Sequence, residues 1–124
     1  MTELRPGNSD RVPSPRRGEV WLVNFNPGRG SEQKGIRPAL VVQNNVGNQY
    51  AATTIVAAIT TTIKPYPVTV VIRARTCGLL YDSMVNMAQV LTIDKGRLTR
   101  KLGELAPEQL AAINRALRIS LDLT

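Results

Sequence analysis

The sequence predicts a small, mainly β domain: an antiparallel barrel of short strands completed by one C-terminal helix. Three observations carry this expectation. Apolar and β-branched runs of five to nine residues recur from residue 19 to residue 93. Gly, Pro and Asn clusters separate them, and no helical period intervenes before residue 107. Closely spaced strands without intervening helices argue against a βαβ fold and for a small barrel. With 124 residues, 43% hydrophobic and 20% charged, the chain has material for one core and one domain.

Residues 1–16 are expected to form a flexible basic tail ahead of a domain over residues 17–124. The first 17 residues hold three Pro and almost nothing apolar, so burial cannot repay the entropy of ordering them. Glu19-Val20-Trp21-Leu22-Val23-Asn24-Phe25 then reads as the first strand, stopped by the turn cluster Asn26-Pro27-Gly28. Trp21 and Phe25 sit inside that pattern and are expected in the core or a dimer face. Residues 26–37 carry three Gly, one Pro and three basic residues between two apolar runs, a long positively charged loop.

Ala39-Leu40-Val41-Val42-Gln43 follows as a short buried strand. Asn44-Asn45-Val46-Gly47-Asn48 reads as a turn, and residues 53–61 as a third strand with threonines at its ends. Lys64-Pro65-Tyr66-Pro67 is a stiff connection into a fourth strand, residues 68–73. Residues 82–87 alternate as a fifth, with Asp82 organising its entry, and residues 88–93 continue it or pair beside it. The closing helix starts at Pro107, has Glu108 at the positive end of its dipole, and aligns Leu110, Ile113, Leu117 and Leu121 on one stripe.

Composition narrows the chemistry. Sixteen Lys and Arg against nine Asp and Glu give a formal charge of +7, which favours an acidic partner such as nucleic acid, an anionic surface or an acidic protein. The tail to residue 17 accounts for +2 of this: Arg5, Arg11, Arg16 and Arg17 against Glu3 and Asp10. Histidine is absent. That excludes Ser-His-Asp and Cys-His mechanisms, His-ligated zinc and paired-histidine ribonuclease chemistry. The single Cys77 cannot form an internal disulfide. With no apolar leader and no run of about 18 apolar residues to span a membrane, a reducing cytoplasm is the expected compartment.

The segment Gly30-Ser31-Glu32-Gln33-Lys34-Gly35-Ile36-Arg37-Pro38 is the most informative. Its glycines let backbone N–H groups face an anion, and Arg37 stands where the loop enters a buried strand, a suitable phosphate clamp. A surface ion pair with Glu32 explains Arg37 equally well on composition alone. Thr60, Thr61 and Thr62 have a plain reading as β-favouring residues at a strand end. Asn44 and Asn45 read as turn formers.

Three blocks resemble a known family. Arg17-Gly18-Glu19-Val20-Trp21, then Gly30-Ser31-Glu32-Gln33 through Gly35-Ile36-Arg37-Pro38 to Gln43-Asn44, then Ile55-Val56-Ala57-Ala58-Ile59-Thr60 are similar to the MazF/PemK toxin endoribonucleases. The likeness continues through Gly78, Asp82-Ser83, Gln89, Thr92-Ile93-Asp94-Lys95 and Arg97-Leu98, and covers about residues 16–122.

The resemblance implies a cytoplasmic, metal-independent and cofactor-free endoribonuclease that cuts single-stranded RNA at a short sequence. It further implies a homodimer of SH3-like barrels, neutralised by an acidic antitoxin whose tail covers the RNA groove, with no membrane association. It assigns catalysis to the positions of Arg37 and Thr60. Attack by the RNA 2′-OH, leaving a 2′,3′-cyclic phosphate and a 5′-OH end, needs no protein nucleophile, which suits a chain without histidine. An always-charged guanidinium can neutralise the phosphoryl oxygens in such a transition state, but it is a poor general base. Arg29, Ser31, Gln33, Lys34 and Gln89 are the candidate RNA-binding residues, through charge or hydrogen bonds; Ser31, Gln33 and Gln89 could equally satisfy loop backbone groups. Two other classes remain open at this point: a gyrase-poisoning toxin of the same barrel fold, and a non-catalytic RNA-binding barrel.

Overall fold

The computed structural model describes residues 13–27 and 35–123. Six strands form one antiparallel sheet: β1 (Glu19–Asn24), β2 (Ile36–Val41), β3 (Thr53–Thr60), β4 (Thr69–Ile72), β5 (Ser83–Asp94) and β6 (Leu98–Glu104). Their spatial order is β4-β5-β3-β2-β1-β6. A short helix α1 (Asn45–Tyr50) joins β2 to β3, a 3-10 turn at Lys95–Arg97 joins β5 to β6, and helix α2 (Pro107–Ser120) ends the domain. The mainly β architecture and the terminal helix follow the sequence expectation.

Closure differs from the expected barrel. The two outer strands, β4 and β6, do not pair, so the sheet stays open. Its gap is packed by the connection over residues 73–82 and by α2, which lies against β4 and β5. The loop approaches β6 backbone to backbone. A Cβ on Gly78 would come within 2.1 Å of the Leu102 carbonyl oxygen, and one on Gly103 within 2.5 Å of the Cys77 carbonyl carbon. Only glycines allow this approach, and the loop takes the place a sixth ladder would need.

Two elements depart from the expected assignments. The Asn44–Asn48 turn is the start of α1, because Asn44 Oδ1 accepts the Gly47 N–H at 2.8 Å as an N-cap. Six residues are too few for an independent helix. Buried Asn48 holds it: its amide donates to the Gln43 carbonyl at 2.9 Å, and its Oδ1 accepts from Gln43 Nε2 at 3.0 Å and Thr54 Oγ1 at 2.7 Å. Strand β6 was not expected because Thr99, Arg100 and Lys101 give it an exposed, charged middle, the pattern of a protected edge strand. Residues 82–87 and 88–93 form one continuous strand, β5, interrupted by a bulge.

The core lies on both faces of the sheet. On one, Val20, Leu40, Ile72, Val85 and Met87 meet Ile113 and Ala116 of α2. On the other, Val23, Phe25, Ala39, Val41, Val56, Ile93 and Leu98 pack together, with Trp21 at the margin. Alternate residues of β2 therefore feed different clusters, and the strand reads as a continuous apolar run. Pro107 occupies the first turn of α2, and Gln109 Oε1 accepts the Ala106 N–H at 2.7 Å. Arg17 ties the domain's start to this helix, donating from Nε to the Val42 carbonyl at 2.9 Å and from Nη2 to Asn114 Oδ1 at 2.8 Å.

Candidate active site

Arg37 is the second residue of β2 and faces solvent. On one side it pairs with buried Val23 of β1. On the other, the β2–β3 register runs Ala39 to Ala58, Leu40 to Ala57 and Val41 to Val56. Each pair sums to 97, so the same register, continued two positions past the last rung, would bring Arg37 opposite Thr60 (37 + 60 = 97).

Pro38 explains why the rungs stop there. The Val42 amide donates to the Ile55 carbonyl at 2.9 Å, so even-numbered amides of β2 point toward β3. Pro38 would be next in that series and has no amide hydrogen. The ladder to β3 ends at Ala39, whereas the ladder to β1 continues through Pro38, Arg37 and Ile36. One end of the β2–β3 pair is thus left open, with Arg37 and Thr60 on the two chains that border it.

Thr60 is partly buried and pairs with Met84 of β5. Its Oγ1 accepts the Thr62 N–H at 3.0 Å, which fixes the hydroxyl oxygen and leaves its hydrogen to donate. A guanidinium and an oriented hydroxyl at one opening can bind a single phosphate group from two directions. Thr61 and Thr62 lie beyond the strand and are exposed.

Gln89 is exposed and lies in the β5 bulge. Ala57 pairs with Val90 but Ala58 with Asn86, so Met87, Ala88 and Gln89 stand opposite one peptide link of β3. The Met87 N–H turns away to the Val68 carbonyl at 2.8 Å. Bulges of this kind re-aim side chains beside functional sites, and Gln89 is on the strand next to Thr60. Arg29, Ser31, Gln33 and Lys34, with Glu32, lie outside the described residues; the described residues that flank them are Pro27, three positions past β1, and Gly35, immediately before β2. Asp82 organises the β5 entry, as expected: its Oδ1 accepts the Ala74 N–H at 2.7 Å, and Oδ2 lies 3.5 Å from Arg73 Nη1.

Sequence reasoning passed over the residues that fix the root of the basic loop. Phe25 N donates to the Gly35 carbonyl at 2.8 Å, Gly35 N to Asn26 Oδ1 at 2.9 Å, and Asn26 N to Asn24 Oδ1 at 3.0 Å. Arg97 Nη1 donates to the Asn24 carbonyl at 3.0 Å and also to that of Asn26. The signal for Asn24 and Asn26 was a pair of side chains known to bond local backbone; Arg97 entered only as part of the family likeness, with nothing to mark its contact to Asn26, 71 residues away.

The buried carboxylate of this sheet sits at the opposite end of β1. Burial pushes the Glu19 carboxyl up, but hydrogen bonds from Trp21 Nε1 and Arg16 N, each 2.9 Å, and Lys101 at 3.2 Å outweigh it and hold Glu19 below its ordinary range. The Lys101 ammonium is raised in turn, first by its hydrogen bond to Glu19.

Residues 16–121 match the family model described as PemK-like, MazF-like toxin of type II toxin-antitoxin system. The chain is 44% identical over 110 residues to Endoribonuclease EndoA of Bacillus subtilis, covering 87% of this chain and 95% of that one. It is also 44% identical over 110 residues to Endoribonuclease MazF of Staphylococcus saprophyticus, with 87% and 92% covered. A solved mycobacterial endoribonuclease in complex with its cognate antitoxin superposes with a TM-score of 0.76 at 30% identity, over 89% of this chain and 97% of that one. MazF from Deinococcus radiodurans superposes with a TM-score of 0.75 at 27% identity, over 88% and 97%.

Proposed function

The chain belongs to the PemK-like, MazF-like toxins of type II toxin–antitoxin systems, and from that premise we propose that it cuts single-stranded RNA at a short sequence with Arg37 and Thr60 as the reacting pair. Its relatives are endoribonucleases, and so is this chain; it acts as the toxin of a pair and has an antitoxin partner. The observation that supports the site is the β2–β3 register, which, continued two positions past its last rung, would bring Arg37 opposite Thr60.

The RNA 2′-OH attacks the adjacent phosphorus as the bond to the 5′ oxygen breaks, giving a 2′,3′-cyclic phosphate and a 5′-OH end. Negative charge grows on the non-bridging oxygens. The Arg37 guanidinium neutralises it without a metal, and Thr60 Oγ1, its acceptor side already engaged by Thr62 N–H, donates to the same phosphate or to the 2′ oxygen. One proton leaves the 2′-OH and one reaches the 5′ oxygen; Arg37 serves as stabiliser rather than as the base. Arg29 and Lys34 attract the phosphate backbone, while Ser31, Gln33 and Gln89 orient nucleotides.

The antitoxin contributes an acidic tail that competes with RNA for this basic groove, in keeping with the +7 charge and with a relative solved on its cognate antitoxin. The toxin acts in the cytoplasm as a homodimer. Exposed Ile119, Leu121 and Leu123 at the end of α2 are apolar surface of the kind a second copy covers. Light scattering should give twice the 13.6 kDa chain mass, and a monomer at micromolar concentration would remove the dimer from the proposal.

Purified protein incubated with a long RNA and a chelator tests the activity. Cut ends carrying 5′-OH and cyclic phosphate, clustered at one short sequence, are expected. Intact RNA, or ends with 5′-phosphate, would overturn the reading.

A further inference from the structure

We propose that Arg97 is a positioning residue for RNA cleavage, acting as a clamp on the root of the basic loop that precedes Arg37. From one guanidinium nitrogen it holds the carbonyls of Asn24 and Asn26, the last residues of the ascending limb. Asn26 passes the restraint across, since its Oδ1 accepts the Gly35 N–H on the descending limb at 2.9 Å. Phe25 N to Gly35 O, 2.8 Å, closes the same ring. Arg37 lies two residues beyond Gly35.

The base of the clamp is rigid. Arg97 ends the 3-10 turn, whose Lys95 N–H donates to the Ala52 carbonyl at 3.0 Å, and the next residue, Leu98, is buried against Val23 and Phe25. Leu98 pairs with Val23, and Val23 with Arg37. Arg97 is therefore about two strand spacings, roughly 10 Å, from the Arg37 backbone, and its Nη1 is engaged at the loop root. Among the described residues no carboxylate forms an ion pair with Arg97. Its Nη1 donates to the loop root, and its charge adds to the positive potential where RNA approaches.

The clamp fixes Asn26 and, through it, Gly35, two residues before Arg37, and so the position from which Arg37 meets RNA. Loosening it should cost rate and also blur the choice of cut sequence. A displacement of about 1 Å in a reacting group can cost about 100-fold.

This inference rests on the Arg37 reading, and two readouts on the full chain keep the two apart. Amide hydrogen exchange at Gly35 and Phe25 reports the clamp with no RNA present. Single-turnover cleavage of a mixed-sequence RNA, with the 5′ ends mapped, reports its consequence. In Arg97→Gln and in Asn26→Ala, exchange at Gly35 should accelerate at least about tenfold while Leu40 stays protected. Cleavage should fall by about 10- to 100-fold with a broadened cut sequence, and Arg97→Lys, which keeps a donor, should restore part of both. Wild-type exchange at Gly35 in Arg97→Gln, wild-type rate and cut sequence, or a loss of protection that includes Leu40 would each overturn the clamp. Failure of the unaltered protein to cut RNA would instead overturn the endoribonuclease mechanism, leaving the exchange result to decide the clamp.

Discussion

The two ends of strand β2 are built on opposite principles. At its C-terminal end, Gln43, Asn48 and Thr54 bond one another and the backbone, and Arg17 reaches from Val42 to Asn114 of α2. Asn48 and Thr54 are almost wholly buried, and their hydrogen-bonding groups are engaged. At the N-terminal end, Pro38 removes a rung, Arg37 faces solvent, and Thr60 borders the opening. The contrast shows how one strand can be anchored at one end by a satisfied polar network and left without a ladder partner at the other.

The largest expected effect comes from the open end. Arg37→Ala should lower single-turnover RNA cleavage by about 100- to 1,000-fold, the loss seen when a transition-state hydrogen-bond donor is removed. Because Arg37 is exposed, the melting temperature should change little. A cleavage loss matched by an equal drop in melting temperature would erase the distinction between the two ends.

The closed end should respond in the reverse sense. Asn48→Ala strands Gln43 and Thr54 in the interior, and should cost about 2–4 kcal/mol of unfolding free energy. Denaturant titration measures this, while cleavage per folded molecule should stay near normal. Next in size is Thr60→Val, which keeps shape and strand propensity but removes the hydroxyl. It should slow cleavage about tenfold, one charge-assisted hydrogen bond's worth, with little change in RNA affinity.

The smallest effect concerns Glu19, near the closed side of β1. Its folded carboxyl titrates below the unfolded value, so its contribution is present above an ordinary glutamate pKa of about 4.3. That contribution fades as pH falls through the lower, folded value. Glu19→Gln should therefore flatten the acid side of the stability profile between about pH 5 and pH 3, measured by thermal melting, and leave the profile near pH 7 parallel to wild type.

The contrast between the ends also explains what could be read in advance. The apolar strand pattern and the terminal helix were legible because local composition carries them, whereas Arg37 and Thr60 stood out only through the order of the family motifs. Helix α1 was hidden because Asn44-Asn45-Val46-Gly47-Asn48 looks like a turn, and only the tertiary partners of Asn48 make the helix worthwhile. Strand β6 was hidden by the charges that protect an edge. The open sheet was illegible because the loop that fills its gap depends on Gly78 meeting the Leu102 backbone and Gly103 that of Cys77, residues 24 and 26 apart in sequence (102 − 78 = 24; 103 − 77 = 26). The role of Arg97 was invisible for the same reason: its partners are distant in sequence and are carbonyls, which every residue has.

The most direct test is a double-mutant cycle on Arg37 and Thr60, read as the single-turnover cleavage rate of one RNA at saturating protein. If both side chains act on one phosphate, Arg37→Ala/Thr60→Val should cleave within about threefold of Arg37→Ala alone, a strongly non-additive result. A double variant whose loss equals the product of the two single losses would mean that Arg37 and Thr60 work independently, contradicting a shared site at the open end of β2.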